Sequence, residues 1–227
     1  VEIGGTPMLV HIMKRYAKFG IKDFVVALGF KSHFIKEFFL NFSKIQSDFT
    51  IDLSTGEVVT ISREAPEWKV TLVDTGLDTM TGGRLKRLSS HLDSTFCLTY
   101  GDGIADIDIK ALLSFHRSKN KEATITAVRP VARFGELEIK NDLVKSFQEK
   151  PQTNTGWING GFFVFEPTVL DKIEGDLTVL EREPLEALAN SAQLVSFKHE
   201  GFWQCMDTKR DVDFLREIWE SGKAPWL

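Results

Sequence analysis

The sequence is poor in the features that mark several protein classes. Cysteine occurs only twice, at Cys97 and Cys205, which is too few for a disulfide scaffold. The 28 basic residues are outnumbered by 32 acidic ones, whereas a nucleic-acid binder normally carries a basic excess to neutralise phosphates. We expect no signal peptide, and no apolar run in these 227 residues reaches the roughly 18 residues that a membrane span needs. We therefore expect a soluble, cytoplasmic protein with neither nucleic acid nor membrane as a partner.

Familiar catalytic and metal-binding motifs are also missing. The five histidines show no short metal-ligand spacing and there is no CxxC pair, which argues against structural zinc. The sequence contains no Gly-x-Ser-x-Gly elbow and no Walker-type Gly-x-x-x-x-Gly-Lys-Ser loop. These absences argue against zinc-finger, serine-hydrolase and P-loop chemistry.

What the sequence does contain is an alternation of helical and strand patterns. Residues 8–16, after a Thr6 N-cap and Pro7, fit a helix that stops at Gly20, and residues 24–28 fit a buried strand. The alternation predicts an α/β fold with a mixed, mostly parallel central sheet flanked by helices. Residues 49–75 predict a small β-rich insertion, and we expect one domain over residues 1–227.

The strongest local feature is an aspartate between two glycines, Gly101-Asp102-Gly103, directly after an apolar strand. Open α/β sheets bind ligands at the carboxyl ends of their strands, and glycine lets a phosphate or ion approach the backbone. Mg²⁺ takes one or two carboxylates together with phosphate oxygens, which suits one aspartate here. The alternative is a plain turn, because Gly-Asp-Gly is good turn chemistry.

A second acid, Asp207, follows an aromatic stretch and precedes a helix. The alternative for Asp207-Thr208 is a helix N-cap, a position that both residue types favour. If Asp102 and Asp207 lie on the same sheet edge, the two carboxylates form a divalent-ion clamp.

Two glycines and a run of bases open another predicted helix, at Gly82-Gly83-Arg84. Free amides at a helix start together with an arginine favour an anion such as a triphosphate, and the alternative is a solvated basic helix end. Asp106 and Asp108 form the D-x-D pattern of many glycosyltransferases, but at a helix start capping is the better interpretation.

Taken together, these motifs resemble those of the sugar-nucleotide pyrophosphorylase family almost from end to end. The resemblance rests on an ordered series of segments: residues 1–5, 70–76, 80–87, 99–103, 146–151, 158–163, 201–208 and 222–226. It implies a Rossmann-like nucleotidyltransferase fold. It also implies transfer of a cytidylyl group from CTP to α-D-glucose 1-phosphate with Mg²⁺ as cofactor, in a homo-oligomer. From the residues themselves, we expect the aromatic C-terminus, residues 224–227, to be exposed and available for an interface.

The resemblance also implies roles for individual residues. Asp102 and Asp207 match the Mg²⁺ ligands, and Lys150 would hold the sugar phosphate as a point charge. Positions that match substrate-contacting residues of the family are Thr79, Arg84 and Gly101 for the nucleotide, and Gly135, Glu149, Asn159 and Gly160 for the sugar phosphate.

The sequence departs from the family pattern at two places. Cys205 stands where the family has proline in Gln-Pro-Met-Asp-Thr. The glycine-rich Gly-Gly-x-Gly-Thr-Arg-Leu loop and the first sheet strand are expected upstream of Val1, so we expect the 227 residues alone to be inactive. Two alternatives stay open: a metal-dependent glycosyltransferase that uses Asp106 and Asp108, and a non-catalytic nucleotide-sugar-binding domain.

Overall fold

The computed structural model describes residues 1–62, 65–130, 136–140, 143–148 and 156–227. Helices and strands follow one another as the sequence pattern predicts. The helices are α1 (Met8–Lys18), α2 (Ser32–Ile45), α3 (Thr81–Arg87), α4 (Ile109–Lys119), α5 (Glu183–Asn190) and α6 (Lys209–Glu220), with 3₁₀ helices at Ser89–His91 and Pro167–Lys172.

The strands are shorter and more numerous than the pattern predicts. They are β1 (Glu2–Ile3), β2 (Thr6–Pro7), β3 (Asp23–Leu28), β4 (Phe49–Ile51), β5 (Val58–Thr60), β6 (Lys69–Asp74), β7 (Phe96–Thr99), β8 (Gly103–Ala105), β9 (Ala123–Val128), β10 (Glu136–Lys140), β11 (Leu143–Gln148), β12 (Ile158–Phe165), β13 (Leu194–His199) and β14 (Trp203–Cys205).

The α/β class is confirmed, but the prediction of a mostly parallel sheet is wrong for the described strands. The largest sheet has the order β13-β9-β12-β7, and β12 runs antiparallel to both of its neighbours. Only β13 with β9 and β3 with β6 pair in parallel. The pairs β1–β2, β4–β5 and β10–β11 are antiparallel because a short connection can join only antiparallel strands. The pair of β8 and β14, which lie far apart in the chain, is antiparallel as well.

Strand β12 separates two hydrophobic cores. Successive side chains of a strand point to opposite faces, and Phe162 and Val164 pack in one cluster while Phe163 and Phe165 pack in the other. The first cluster joins α1, β8, α4 and α6, and the second joins α3, the 3₁₀ helix at Pro167–Lys172 and α5. Because both faces are covered, β12 is a rigid base for the residues at its start.

Both termini differ from the sequence-based expectation. Thr6 does not cap α1: Thr6 and Pro7 pair with Ile3 and Glu2 in a short β-ladder, and Pro7 itself is the residue before the helix. The C-terminal aromatic residue is not exposed either. Trp226 is 1% exposed and packs against His11 and Phe202.

One region keeps its apolar side chains outside both cores. Helix α2 has no buried residue. The rings of Phe38 and Phe42 contact each other, and Phe42 also contacts Trp68. The neighbouring hairpin β4–β5 is exposed throughout, with Leu53 at its turn 88% exposed. Across the described ranges, no helix combines the length and apolarity needed to cross a membrane.

Candidate active site

A short antiparallel ladder brings the two predicted metal-binding acids together. Strands β8 and β14 pair with Gly103 opposite Cys205, and the Met206 amide donates to the Asp102 carbonyl oxygen at 2.8 Å. Asp102 immediately precedes β8, and Asp207 follows β14 after one residue. The ladder therefore places both carboxylates at the same end of the same strand pair.

The electrostatics of this pair reflect its closeness. Partial burial, with a further contribution from the negative charge of Asp207, raises the pKa of Asp102. The Cys205 thiol donates to Asp207 Oδ2 at 3.3 Å, and burial together with the neighbouring carboxylates raises its pKa to about 11. Two carboxylates and a neutral thiol form a site with a net negative charge, which attracts a cation.

The alternative role of Asp207-Thr208 as a helix N-cap applies to Thr208 and not to Asp207. Thr208 occupies the N-cap of α6, and its hydroxyl accepts the Asp211 amide while the Asp211 side chain accepts the Thr208 amide. In this capping box, Thr208 and Asp211 alone provide the side-chain hydrogen bonds to backbone amides at the start of α6. The Asp207 carboxylate is therefore left for other partners.

Asp102 and Asp207 open into a cleft of about 1260 Å³. One wall is the segment from Tyr100 to Gly103, a second comes from the start of β12, and the third is β14 with the first turns of α6. A volume of this order is larger than typical small-ligand pockets of about 300–1,000 Å³. The cleft can therefore take a ligand as large as a nucleotide with a sugar.

The start of β12 supplies Asn159 and Gly160 to this cleft. Gly161 has φ +74°, and its amide donates to Asn159 Oδ1 at 2.8 Å, so the strand bulges here. The Gly160 carbonyl oxygen accepts the Trp203 indole N–H at 2.8 Å. A methyl group on Gly160 would lie 2.7 Å from Val128 Cγ1, so only glycine fits this close approach.

Behind the cleft, a carboxylate that sequence reasoning missed joins two distant segments. The Tyr100 hydroxyl donates to Glu181 Oε1, and the Thr81 hydroxyl donates to Glu181 Oε2 at 2.6 Å. Burial and the Glu181 carboxylate raise the pKa of Tyr100, and a hydrogen bond with Asn159 offsets part of that rise. Glu181 lies among other charged residues just before α5, so no local sequence pattern distinguishes it from them.

The glycine pair at the start of α3 contacts protein backbone. A methyl group on Gly83 would lie 2.4 Å from the Asp176 carbonyl oxygen, and one on Gly82 would lie 2.7 Å from that of Thr178. The Met80 amide donates to Asp176 O at 2.8 Å and the Gly83 amide to Thr178 O at 3.2 Å. The helix start predicted to bind an anion is thus covered by the loop that leads to Glu181.

Arg84 also uses its guanidinium within the protein. Its Nη1 atom donates to the carbonyl oxygens of Leu28 and Gly76 and to the Thr75 hydroxyl, and Nη2 donates to Leu77 O. Thr79 is nearly buried next to Gly76. Thr79, Arg84 and Gly101 are not among the residues that line the cleft, but Gly101 is adjacent to Asp102, and a methyl group on it would meet no atom within 4 Å.

The D-x-D pair has structural partners. Asp108 is the N-cap of α4 and accepts the Ala111 amide at 2.8 Å, as the capping interpretation predicts. Asp106 lies 3.0 Å from His199 Nε2, and its carbonyl oxygen accepts from Arg15. Because both acids have structural partners, the D-x-D pattern no longer supports the alternative of a metal-dependent glycosyltransferase.

The remaining predicted residues, Gly135, Glu149 and Lys150, lie outside the described residues. Within the described ranges, no group of three or more histidine, cysteine or acidic residues could hold a metal by itself. Asp102 and Asp207 nevertheless fit Mg²⁺, because this ion takes one or two carboxylates and completes its shell with water and phosphate oxygens.

Comparisons with known proteins agree on one family. The family model described as nucleotidyl transferase matches residues 1–221. Glucose-1-phosphate cytidylyltransferase of Salmonella typhimurium is 50% identical over 228 residues, which cover 100% of this chain and 89% of the relative. Mannose-1-phosphate guanyltransferase of Gibberella zeae is 30% identical, over 95% of this chain and 56% of that protein.

Solved structures share the fold at lower identity. The crystal structure of HddC from Yersinia pseudotuberculosis complexed with GMP-PN superimposes with a TM-score of 0.69 at 20% identity, covering 96% of this chain and 88% of that one. The match extends the agreement from sequence to architecture.

Proposed function

This chain belongs to the nucleotidyl transferase family, and we propose that it is a glucose-1-phosphate cytidylyltransferase. The reaction converts CTP and α-D-glucose 1-phosphate into CDP-glucose and pyrophosphate. The observation that carries the proposal is 50% identity over the whole chain with an enzyme of that name, against 30% with a guanyltransferase. The cleft beside Asp102 and Asp207 supports it, because it has room for a nucleotide and a sugar.

The chemistry is a direct displacement at phosphorus. A phosphate oxygen of glucose 1-phosphate attacks the α-phosphorus of CTP, and the bond from this phosphorus to the oxygen bridging to the β-phosphate breaks, releasing pyrophosphate. Such a transfer depends on alignment and charge neutralisation more than on a protein nucleophile. The part of the protein is therefore to bind the two substrates in line and to exclude competing orientations.

We propose Mg²⁺ as the cofactor and Asp102 and Asp207 as its protein ligands. When bound, the ion supplies positive charge that offsets the crowded phosphates. The β8–β14 ladder supports this assignment by fixing the two carboxylates at one end of one strand pair.

The sugar phosphate is proposed to lie at the start of β12. Asn159 and Gly160 line the cleft there, and Gly160 and Gly161 keep the strand backbone close to its neighbours. The further contacts proposed from the family resemblance are Gly135, Glu149 and Lys150, with the lysine as a point charge on the phosphate. The family resemblance also proposes Thr79, Arg84 and Gly101 as nucleotide contacts. Of these, Gly101 adjoins Asp102, whereas Arg84 would have to release its hydrogen bonds to the carbonyl oxygens of residues 28, 76 and 77 to reach the nucleotide.

A substrate panel tests the proposal. The full-length protein is assayed with CTP, UTP, dTTP and GTP, each paired with glucose 1-phosphate or mannose 1-phosphate, and products are separated by anion-exchange chromatography. We expect CDP-glucose and stoichiometric pyrophosphate from CTP with glucose 1-phosphate. A higher kcat/KM with another nucleotide or sugar would overturn the assignment.

The expected dependence on an upstream glycine-rich loop stays a prediction from the family resemblance. We expect residues 1–227 alone to form no CDP-glucose, and a version that includes any upstream coding segment to be active. Comparable turnover by both versions would show that the triphosphate is bound by other residues.

A homo-oligomer is proposed as the working form. The exposed apolar side chains of α2 and of the hairpin β4–β5 support it, because monomers seldom expose large continuous apolar patches. Light scattering coupled to gel filtration would give a multiple of the chain mass, and a monomer at micromolar concentration would contradict the proposal.

A further inference from the structure

We infer that Glu181 is a positioning residue that holds the cleft and the start of α3 in a fixed relation, acting on the reaction through Tyr100. The inference rests on the proposed function for its kinetic consequences, and on the hydrogen-bond geometry for everything else. Glu181 does not line the cleft, so its effect on bound substrates is indirect.

The loop that carries Glu181 is fixed from several sides. The Asp176 carboxylate accepts two hydrogen bonds from Arg87, at 2.8 and 2.7 Å, and the Asp176 carbonyl accepts the Met80 amide. The Leu180 side chain is 1% exposed, and its amide donates to the Thr81 hydroxyl at 2.9 Å. The fold therefore determines where the next residue, Glu181, places its carboxylate.

Each oxygen of that carboxylate serves a different segment. Oε2 accepts from Thr81, whose own oxygen already accepts the Leu180 amide, so the direction of the Thr81 proton is set. Oε1 accepts from the Tyr100 phenol. A carboxylate is the group that suits two converging hydroxyl donors, because it has only acceptors. Glutamine would have the same size but would present an N–H donor to one of the two hydroxyls.

Fixing Tyr100 fixes the part of the chain that bears the candidate active site. The Tyr100 amide donates to Gly161 O at 3.1 Å, and its ring packs edge-on against Phe163 at 5.6 Å. Asp102 follows two residues later, and Asn159 interacts with the Tyr100 phenol from the other wall of the cleft. A shift of the phenol would therefore move one metal-binding acid and one sugar-side residue together.

Tyrosine-selective NMR tests the contact directly. The 227-residue sequence contains two tyrosines, Tyr16 and Tyr100, so ¹³Cζ labelling gives a simple spectrum that Tyr100→Phe assigns. In Glu181→Gln we expect the Tyr100 resonance to shift, because the carboxylate oxygen that accepts the Tyr100 phenol hydrogen bond is replaced by an amide. The Tyr16 resonance should stay in place. An unchanged Tyr100 resonance would overturn the inference.

Kinetics test the consequence. Glu181→Gln in the full-length enzyme should lower kcat at least about tenfold with little change in KM for CTP, because it misaligns residues of the active site without removing a contact to the substrate. Tyr100→Phe should do the same, and the double variant should lose no more than the worse single one, because the two residues act in series. Glu183→Gln, an exposed acid two residues away, is the matched control and should keep full activity.

The outcomes separate this inference from the proposed function. Additive losses in the double variant, or a normal kcat in Glu181→Gln, would overturn the role of Glu181 while wild-type CDP-glucose synthesis stands. Absence of CDP-glucose synthesis in the wild type would overturn the function and leave the NMR result valid. If Glu181→Gln does not fold, Thr81→Ala serves instead: it should still shift the Tyr100 resonance, and an unchanged resonance would overturn the inference.

Discussion

Two glycine-flanked motifs that look alike in sequence do opposite things in the structure. Around Gly101-Asp102-Gly103, a methyl group on Gly101 would meet nothing within 4 Å, and the acid opens into the cleft. Around Gly82-Gly83-Arg84, the loop at Asp176–Thr178 lies on the glycines and four protein oxygens surround the arginine. The glycines therefore border open space in one motif and protein backbone in the other. We propose that a ligand occupies the open one.

The largest effect should come from the acids on the open side. Asp102→Asn and Asp207→Asn should each lower turnover by at least about 100-fold, because the transfer depends on charge neutralisation at the phosphates. Steady-state pyrophosphate release with matched circular dichroism would measure this. Asp108→Asn is the control, since asparagine also caps a helix, and it should retain normal activity. A strong loss in the control, or near-normal activity in either variant, would reverse the assignment.

A pair of glycine substitutions tests the comparison itself. Gly83→Ala would force a methyl group against the Asp176 backbone and should cost about 2 kcal/mol of unfolding free energy, as overpacking does. Its Tm should fall by roughly 4–8 °C. Gly101→Ala should leave Tm unchanged, because its methyl group would meet no protein atom. It should lower activity, because the nucleotide is proposed to approach the backbone there. Equal stability losses in the two variants would show that the motifs do not differ as described.

Substitution of Arg84 should also lower stability, but by less than Gly83→Ala. Lysine cannot reach the three carbonyl oxygens and the hydroxyl that the guanidinium bridges, so Arg84→Lys should lose about 1–2 kcal/mol of stability. Chemical denaturation would measure the loss. An unchanged unfolding midpoint, with reduced affinity for CTP, would mean that Arg84 turns toward the nucleotide in the working enzyme.

The smallest effect is expected at Cys205. Removing its thiol in Cys205→Ala deletes one weak hydrogen bond to Asp207, worth about 0.5 kcal/mol. The corresponding change in kcat/KM is about two- to threefold. Cys205→Ser, which keeps a donor, should be closer to the wild type. A loss in Cys205→Ala as large as that of the aspartate variants would show that the thiol has a direct role.

The sequence predicts local structure well and long-range pairing poorly. Helix α1 begins at Met8 and ends shortly before Gly20 as predicted, and β3 covers the predicted strand at residues 24–28. Strands β8 and β14 were not predicted, because three-residue segments far apart in the chain have no periodic signal of their own. Glu181 was missed for the same reason: its partners Tyr100 and Thr81 are 81 and 100 residues away.

The sequence also could not predict that Arg84 points into the protein, or that a loop packs on Gly82 and Gly83. A glycine pair before basic residues predicts a close approach, but the composition of that motif does not reveal that a loop near residue 176 makes it. Asp102 could be singled out because a glycine-flanked aspartate after a strand constrains both position and exposure. Asp207 has no glycine beside it, and the sequence suggested it only as a partner of Asp102 on the same sheet edge.

The most direct test of the account is the position of the divalent ion. Crystals of the full-length enzyme soaked with Mn²⁺ and CDP-glucose should show an anomalous peak between the carboxylates of Asp102 and Asp207, with the product's phosphates beside it. A peak at Asp106 and Asp108, or at the start of α3, would contradict the proposal that the ligand binds at the open glycine motif.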